Sequence, residues 1–398
     1  MKAKPFVKWV GGKSQLIDQL EALLPADFDQ WENVTYIEPF VGGGAMLFYM
    51  LQTHSNIRQA IINDINPDLT TCYKVVRDNP SELVKSLQQI QKEYYDFQSE
   101  EDRKSFFLKR RDEFNTKALD PIRNTTLFFF LNRTCFNGLY RVNKAGLFNV
   151  PFGRYETPMI CDPNTIYADS ELLQNVEILT GDYQQTLSKA KDNTLFYFDP
   201  PYRPLSNTSS FNDYAKEAFN DNEQKRLKEF CDLVTQNGYT FLLSNSDGFS
   251  HNNDTFFDDL YARYTIYRVN ASRMVNANPN KRGKLSELVV TNSVLPDYIP
   301  VSNIYSSYNL MGKIVRKIPI EDLRIDKSRL SFANEILEDT VETIVYHFDD
   351  DWWLPIFIDK DYCLRDGQHR LVAAKRMGLR FIDALLLNEE HSKIYKYD

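Results

Sequence analysis

The stretch Tyr36-Ile37-Glu38-Pro39-Phe40-Val41-Gly42-Gly43-Gly44-Ala45-Met46-Leu47 (YIEPFVGGGAML) joins a strand, a turn and a helix. Val34 to Ile37 carries the strand signal, Gly42 to Gly44 the turn, and Ala45 to Leu51 an apolar helix. Glycine lets a backbone turn tightly and approach a ligand closely. A second strand, Gln59 to Ile62, ends in Asn63-Asp64, and Asp64 stands 20 residues beyond Gly44. In dinucleotide-binding folds an acid at that place accepts hydrogen bonds from ribose hydroxyls. Turn and acid together point to an adenosine-containing cofactor; a plain βαβ turn is the alternative that these residues alone leave open.

Downstream, the apolar strand Leu195 to Phe198 stops at Asp199-Pro200-Pro201-Tyr202. The exocyclic amine of adenine is a poor nucleophile, because its lone pair is delocalised into the ring. An enzyme that alkylates it needs acceptors for both amino hydrogens. The Asp199 carboxylate can take one, and the Pro200 carbonyl, kept out of helix or ladder by the two prolines, can take the other. Tyr202 offers a face on which an extruded base can stack. The alternative is a proline-terminated strand with a locally packed tyrosine. Further strands at Tyr239 to Ser244 and Ser286 to Thr291 and a helix from Glu223 to Gln236 complete an alternating pattern that reads as an open α/β sheet. Leu83, Leu87, Ile90, Tyr94 and Phe97 mark an amphipathic helix, expected to continue as a charged helical region to about Leu119.

The chain of 398 residues has room for two or three domains, and 42% hydrophobic with 26% charged residues excludes a disordered or fibrous chain. No apolar run is long enough to span a membrane, and MKAKPFVKWVGGK has no apolar signal core, so a cytoplasmic location without membrane partners is expected. Cys72, Cys135, Cys161, Cys231 and Cys363 are scattered without CxxC spacing and read as reduced, mostly buried thiols. The net charge is -8, yet two segments carry no acid. Pro121 to Tyr155 holds Arg123, Arg133, Arg141, Lys144 and Arg154; Ala262 to Ser286 holds Arg263, Arg268, Arg273, Lys281, Arg282 and Lys284. Such local basic surface in an acidic protein suits a polyanion, with solvated loops as the alternative. Gly11-Gly12-Lys13-Ser14 invites a P-loop reading, but that motif needs glycine where Val7 stands, so an NTPase is excluded.

FVKWVGGKSQL, IEPFVGGGAMLF, IINDINPDL, FLNRTCFNGLYRVNKAGLFNVPFGRY and FDPPYRPLSNTSSFNDY occur in that order between about Lys4 and Asn292. This succession resembles the Dam-type, D12-class DNA adenine-N6 methyltransferases. The resemblance implies a Rossmann-like methyltransferase sheet with a helical and hairpin DNA-recognition insertion at about 70–160. It implies S-adenosyl-L-methionine as methyl donor and double-stranded DNA as partner. No metal or covalent intermediate is required, since positioning and hydrogen bonding do most of the work. Carried over by position, Trp9, Lys13, Phe40, Gly42, Gly44, Asp64, Asp182 and Asp199 match cofactor-contacting residues. Asp199, Pro200, Pro201 and Tyr202 match the target-amine site. Asn132 to Tyr155 resembles the DNA-reading hairpin and coincides with the acid-free stretch. In it Arg141 suits a base edge or a phosphate, Leu139 and Pro151 match apolar base contacts, and Phe136 matches an aromatic that intercalates beside the flipped base. Asn137 and Arg154 suit phosphates; Asn132, Arg133 and Tyr155 are counted with them, and Lys8 matches a lysine that reads a guanine. Agreement at Lys8, Leu139, Arg141 and Pro151 implies GATC as the target. RGKLSELVVTN resembles the last motif of these enzymes, a basic loop with phosphates within its reach.

A methyltransferase domain over 1–295, a linker over 296–312 and a unit over 313–398 are the expected divisions. The tail LPIFIDKDYCLRDGQHRLVAAKRMGLRFIDALLL reads as strand, turn, helix, strand. It resembles the N-terminal α+β domain of ParB-like proteins, with Asp366, Gly367, His369 and Arg370 at a turn that in that family binds nucleotide phosphates, so a nucleotide or a protein is its expected partner; an interaction module or an extra DNA-contacting module is the equal reading. Three rivals stand beside adenine methylation. Cytosine-N4 methylation shares the amine chemistry, though such enzymes more often carry Ser in place of Asp199. Protein-amide methylation resembles NPPY, and the acid-free hairpin argues against a peptide. A non-catalytic DNA-binding module would have lost pocket residues that are present here.

Overall fold

The computed structural model describes residues 2–9, 11, 13, 16–25, 27–203, 219–247, 254–272, 284–293, 314–330, 336–346, 355–359 and 361–386. Strands β1 (Val34–Glu38), β2 (Ile57–Asp64), β3 (Val176–Thr180), β4 (Thr194–Phe198) and β5 (Thr240–Ser246) run parallel in the order β3-β2-β1-β4-β5. β7 (Lys284–Thr291) lies between β5 and β6 (Thr265–Ser272), antiparallel to both. Every residue of β1 and β4 is buried, as expected of parallel strands covered on both faces. Alternation sorts their side chains. Tyr36, Ile62, Leu195 and Tyr197 join one core, while Ile37, Ile61, Phe196 and Phe198 join the other.

Helices α1 (Ile17–Glu21), α2 (Ala45–Thr53), α3 (Pro67–Asp78), α4 (Pro80–Tyr95), α5 (Glu100–Phe114), α6 (Pro121–Thr134) and α7 (Pro163–Leu173) precede β3. α8 (Asp221–Gln236) and α9 (Phe256–Leu260) follow β4 and β5. The expected single helical stretch from Leu83 to about Leu119 is two helices. Ser99 stops it: its hydroxyl accepts the Asp102 amide at 3.0 Å and starts α5, so Phe97 leaves the helix and packs on Phe106, 5.2 Å between ring centres. α6 carries Phe128, Phe129 and Phe130, all buried, into the core beneath the N-terminal segment. Phe6 stacks on Phe129 at 5.4 Å and meets Tyr73 edge-on at 4.8 Å, which anchors residues 2–9 across the sheet end.

The sheet order reverses between β1 and β4: the chain builds outward through β2 and β3 on one side and through β5 on the other. Open α/β sheets bind ligands in the crevice at the carboxyl ends of strands flanking such a reversal. Glu38, Asp64 and Asp199 stand at or just past those ends.

Beyond β7 the strands of the tail continue the sheet. β8 (Ile314–Pro319) pairs antiparallel with β6, Tyr267 opposite Arg316, and β11 (Phe381–Leu386), β9 (Ile356–Ile358) and β10 (Leu364–Asp366) extend one sheet to eleven strands. Strand pairing does not require a hydrophobic signal, so the composition shift after Val294 conceals it. The tail, with α10 (Glu338–Tyr346) and α11 (Gln368–Arg376), still has its own core of Ile318, Ile356, Ile358, Leu364, Leu371 and Ile382. The linker expected at 296–312 lies outside the described residues.

Candidate active site

The glycine turn is fixed by its neighbours. Gly42 and Gly44 have φ of +47° and +72°, which L side chains rarely adopt. A Cβ on Gly44 would stand 2.5 Å from the Tyr73 hydroxyl, and one on Gly42 would stand 2.8 Å from the Trp9 ring. Tyr73 donates to the Gly42 carbonyl at 3.0 Å, and the Gly42 amide donates to Asp64 Oδ2 at 3.1 Å. Asp64 Oδ1 takes the Asn66 amide at 2.9 Å. Asn66 then caps α3, accepting from Asp68 and Leu69 ahead of Pro67, so the chain leaves β2 in one direction. Burial pushes the Asp64 carboxyl up; the Asn66 and Gly42 amides pull it back. Ile65, next to Asp64, is 80% exposed. Phe40 turns to the other core against Tyr183 and Phe219. Asp182 caps the 3₁₀ turn Tyr183–Lys189 and pairs with Arg226 at 2.7 Å, so its carboxylate is partly committed to the protein.

On the other side of the reversal, Lys13 is 4% exposed. Its Nζ donates to the Gly11 carbonyl at 2.8 Å and to Asp199 Oδ1 at 2.8 Å, lies 4.4 Å from the centre of the Tyr202 ring, and is 3.9 Å from Glu287. Ser244 on β5 donates to the same Asp199 Oδ1 at 3.2 Å. Both internal partners therefore use one oxygen, and Asp199 Oδ2 takes no hydrogen bond from a described residue. Tyr202 donates to Glu287 Oε2 at 2.5 Å. Gln224 of α8 donates to the Pro201 carbonyl at 3.2 Å, which fixes the backbone beside the buried Pro200. Burial raises the Asp199 carboxyl, and the Lys13 ammonium opposes that rise. Glu38, 2% exposed, accepts from Tyr36 at 2.8 Å; burial pushes it well up.

Sequence reasoning missed Glu38, Ser244 and Glu287. Glu287 lies in the strand expected at Ser286 to Thr291, behind the basic loop of RGKLSELVVTN; residues 273–283 of that basic stretch, Arg273, Lys281 and Arg282 among them, lie outside the described residues. Arg268, expected in that basic surface, is 4% exposed and paired with Asp247 at 2.9 Å and Asp258 at 2.7 Å. Acids from β5's end and α9 neutralise it, which a count along the chain does not detect.

The hairpin lies beside this pocket. Its first expected residues belong to α6, and its turn is Asn143 to Gly146, with Asn143 accepting the Ala145 and Leu147 amides. Asn132 and Arg133 face inward. The Asn132 amide binds the Lys8 backbone in both directions and the Gly138 carbonyl, and Arg133 donates to the Phe6 carbonyl at 2.8 Å. These contacts tie α6 and the hairpin to the N-terminal segment. Arg123 is likewise bound to Glu113 at 2.7 Å. Phe136 is 51% exposed, and Asn137, Arg141, Lys144, Pro151 and Arg154 are exposed with it. Arg141 rests on Asn149 at 2.8 Å and Arg154 lies 3.5 Å from Glu100. Lys8 packs against Gly138, with its ammonium 5.6 Å from the Tyr155 ring centre, while Leu139 is half-buried. Between Leu139 and Arg141, Tyr140 stacks on Trp9 at 5.6 Å and donates to Asp68 at 3.1 Å. Hairpin and glycine turn thus share one aromatic stack.

In the tail, Arg370 donates to the Pro355 carbonyl at 2.6 Å and lies 3.5 Å from Asp366, and His369 Nε2 accepts the Leu337 amide at 3.0 Å. Gly367 has φ of +98° before α11.

The central seven strands of the sheet, β1 to β7, are mostly parallel and carry helices in the manner of a Rossmann-like methyltransferase. The family model of the D12 class N6 adenine-specific DNA methyltransferases matches residues 9–275, and the chain belongs to that family. It is 45% identical over 295 residues to the type II methyltransferase M.MjaIII of Methanocaldococcus jannaschii, covering 73% of this chain and 100% of that protein. It is 35% identical to M1.LlaDCHI of Lactococcus lactis subsp. cremoris (73% of this chain, 95% of that one) and 32% identical to the DNA adenine methylase of Escherichia coli K12 (72% and 95%). The family is S-adenosylmethionine-dependent and acts on double-stranded DNA. Among the described residues no helix is long and apolar enough to cross a membrane. All five cysteines are buried and free.

Proposed function

We propose that the chain methylates N6 of adenine within GATC in duplex DNA, with Asp199 and Pro200 receiving the two amino hydrogens. The observation that carries the site assignment is the division of labour at Asp199: Lys13 and Ser244 share Oδ1, leaving Oδ2 to the incoming amine. Tyr202 has the Lys13 ammonium against its ring, and its remaining surface suits a stacked purine. The surroundings also suit a cationic donor. Two carboxylates, Asp199 and Glu287, lie within 3.9 Å of the Lys13 ammonium, the buried Glu38 acts on it from farther off, and Gly42 and Gly44 let the turn close against Trp9 and Tyr73. Gly42, Gly44, Asp64 and Trp9 would hold S-adenosylmethionine. When bound, it supplies an electrophilic methyl group on a sulfonium. Phe136, Leu139, Arg141, Pro151 and Lys8 are the proposed DNA-reading set; the Lys8–Asn132–Gly138 contacts that join them to one scaffold support it.

The test is labelled methyl transfer to duplexes holding GATC or single-base variants of it, followed by nucleoside mass spectrometry. N6-methyladenine in the GATC duplex alone is expected. Label on cytosine, or equal label on every duplex, would contradict the reading.

For residues 313–398 we propose an added ParB-like module that takes nucleotide phosphates at the Gly367–Arg370 turn. Its strand, turn and helix order around a positive-φ glycine supports this. Titration of the full chain with nucleoside triphosphates should give binding that Arg370→Ala weakens; no binding of any nucleotide would overturn it.

A further inference from the structure

Glu287 reaches the active site from the antiparallel strand β7, at the far end of the catalytic sequence from Lys13. It lies opposite Ser246 of β5 and Val269 of β6, and its side chain is only 17% exposed. A carboxylate half-desolvated in this way costs free energy unless it is paired. Its partners are two groups already assigned to the methyl-transfer site, the Tyr202 hydroxyl at 2.5 Å and the Lys13 ammonium at 3.9 Å. Resting on the pocket assignment above, we propose that Glu287 is a positioning residue for methyl transfer: it fixes the Tyr202 ring and draws Lys13 away from one side of Asp199, so that Asp199 Oδ2 stays available to the target amine.

The geometry explains why an anion is needed there. Lys13 has three donors. One goes to the Gly11 carbonyl and one to Asp199 Oδ1. With no second anion near the third, the ammonium is free to swing across both oxygens of Asp199 and occupy the acceptor that the amine requires. Glu287 opposes that swing, and the Tyr202 ring, with its hydroxyl held by the same carboxylate, closes the cage from one side. The charged and titratable groups facing Glu287 are Lys13 from the N-terminal segment and Asp199 and Tyr202 after β4, with Tyr197 of β4 acting from farther off. Arg268 on neighbouring β6 is held by Asp247 and Asp258. Glu287 and Asp199 therefore share one cation, and each opposes the ionisation of the other.

Glu287→Gln in the full chain tests this by single-turnover methyl transfer across pH, with DNA affinity measured in parallel. The rate should fall roughly 10- to 100-fold, the cost of misplacing a reacting group, while DNA affinity changes by less than about threefold. The acid limb of the pH profile should move to lower pH, since removing a neighbouring negative charge eases ionisation of Asp199. Glu287→Asp keeps the charge on a shorter arm, so it should keep the wild-type limb at a reduced rate. A wild-type rate in Glu287→Gln, or a fall without movement of the limb, would overturn the proposal. Where Glu287→Gln does not fold, a wild-type rate in Glu287→Asp would do the same. Full activity in Asp199→Ala would instead remove the pocket assignment itself, so the two failures are distinguishable.

Discussion

At the residue scale, the crowding around Gly44 makes it the least replaceable position of the cradle. Gly44→Ala adds a Cβ against Tyr73 at φ +72°, and it should lower stability by about 1–2 kcal/mol, read from the denaturant midpoint, with loss of cofactor binding. An unchanged midpoint would show that the turn can relax. Arg141→Ala should reduce discrimination between GATC and its variants by ~1–3 kcal/mol if Arg141 reads a base. Competition binding checks this, and an equal loss on all sequences would make Arg141 a phosphate contact. Asp169 provides a pH signature. It is fully buried on α7, accepts the Lys4 amide at 3.0 Å with one oxygen and has no partner for the other among the described residues, and burial raises its carboxyl to about 7. The folded state therefore binds this proton more tightly than the unfolded chain. Its contribution to stability is complete below the unfolded value near 4 and is lost as pH rises through about 7. Asp169→Asn should flatten the fall in denaturation midpoint between pH 5 and pH 8. An equally steep fall in the variant would assign the dependence to other groups.

At the scale of elements, what the sequence made legible was local chemistry. The strand, turn and helix around Gly42 to Gly44 and the corner at Asp199 follow from periodicity and from residues with narrow backbone preferences. Ser99 followed by Glu100, Glu101 and Asp102 was an available helix-start signal, yet the apolar spacing continued through Phe97 and concealed the break. Glu287 was harder to read, because a strand acid acquires its meaning from the elements beside it. β7 brings it to Lys13 across most of the methyltransferase sequence, and no local pattern encodes that approach. The same applies to Arg268, whose neutralising acids come from other elements, and to Asn132, whose amide is spent on backbone. Charge counted along a chain identifies candidate surface; only packing decides which cations face outward.

On the scale of the whole molecule, the four strands of the tail extend the sheet from seven strands to eleven. β8 covers the β6 edge, and Arg380 of the tail lies 3.1 Å from Asp259 of α9. An uncovered strand edge offers unpaired amides and carbonyls to other chains. Truncation after residue 295 should therefore retain methyl transfer, as the full-length match to M.MjaIII within 73% of this chain suggests, while increasing self-association measured by size-exclusion chromatography. A truncated chain that stays monomeric and loses all transfer would instead make the tail part of the catalytic framework. In the proposed function, one acid just past β4, Asp199, prepares the amine while the rest of the protein presents the base. Single-turnover methyl transfer by Asp199→Ala, with duplex affinity measured on the same preparation, tests it most directly. Transfer should fall by at least about 100-fold with duplex affinity largely retained. Transfer at the wild-type rate would contradict it.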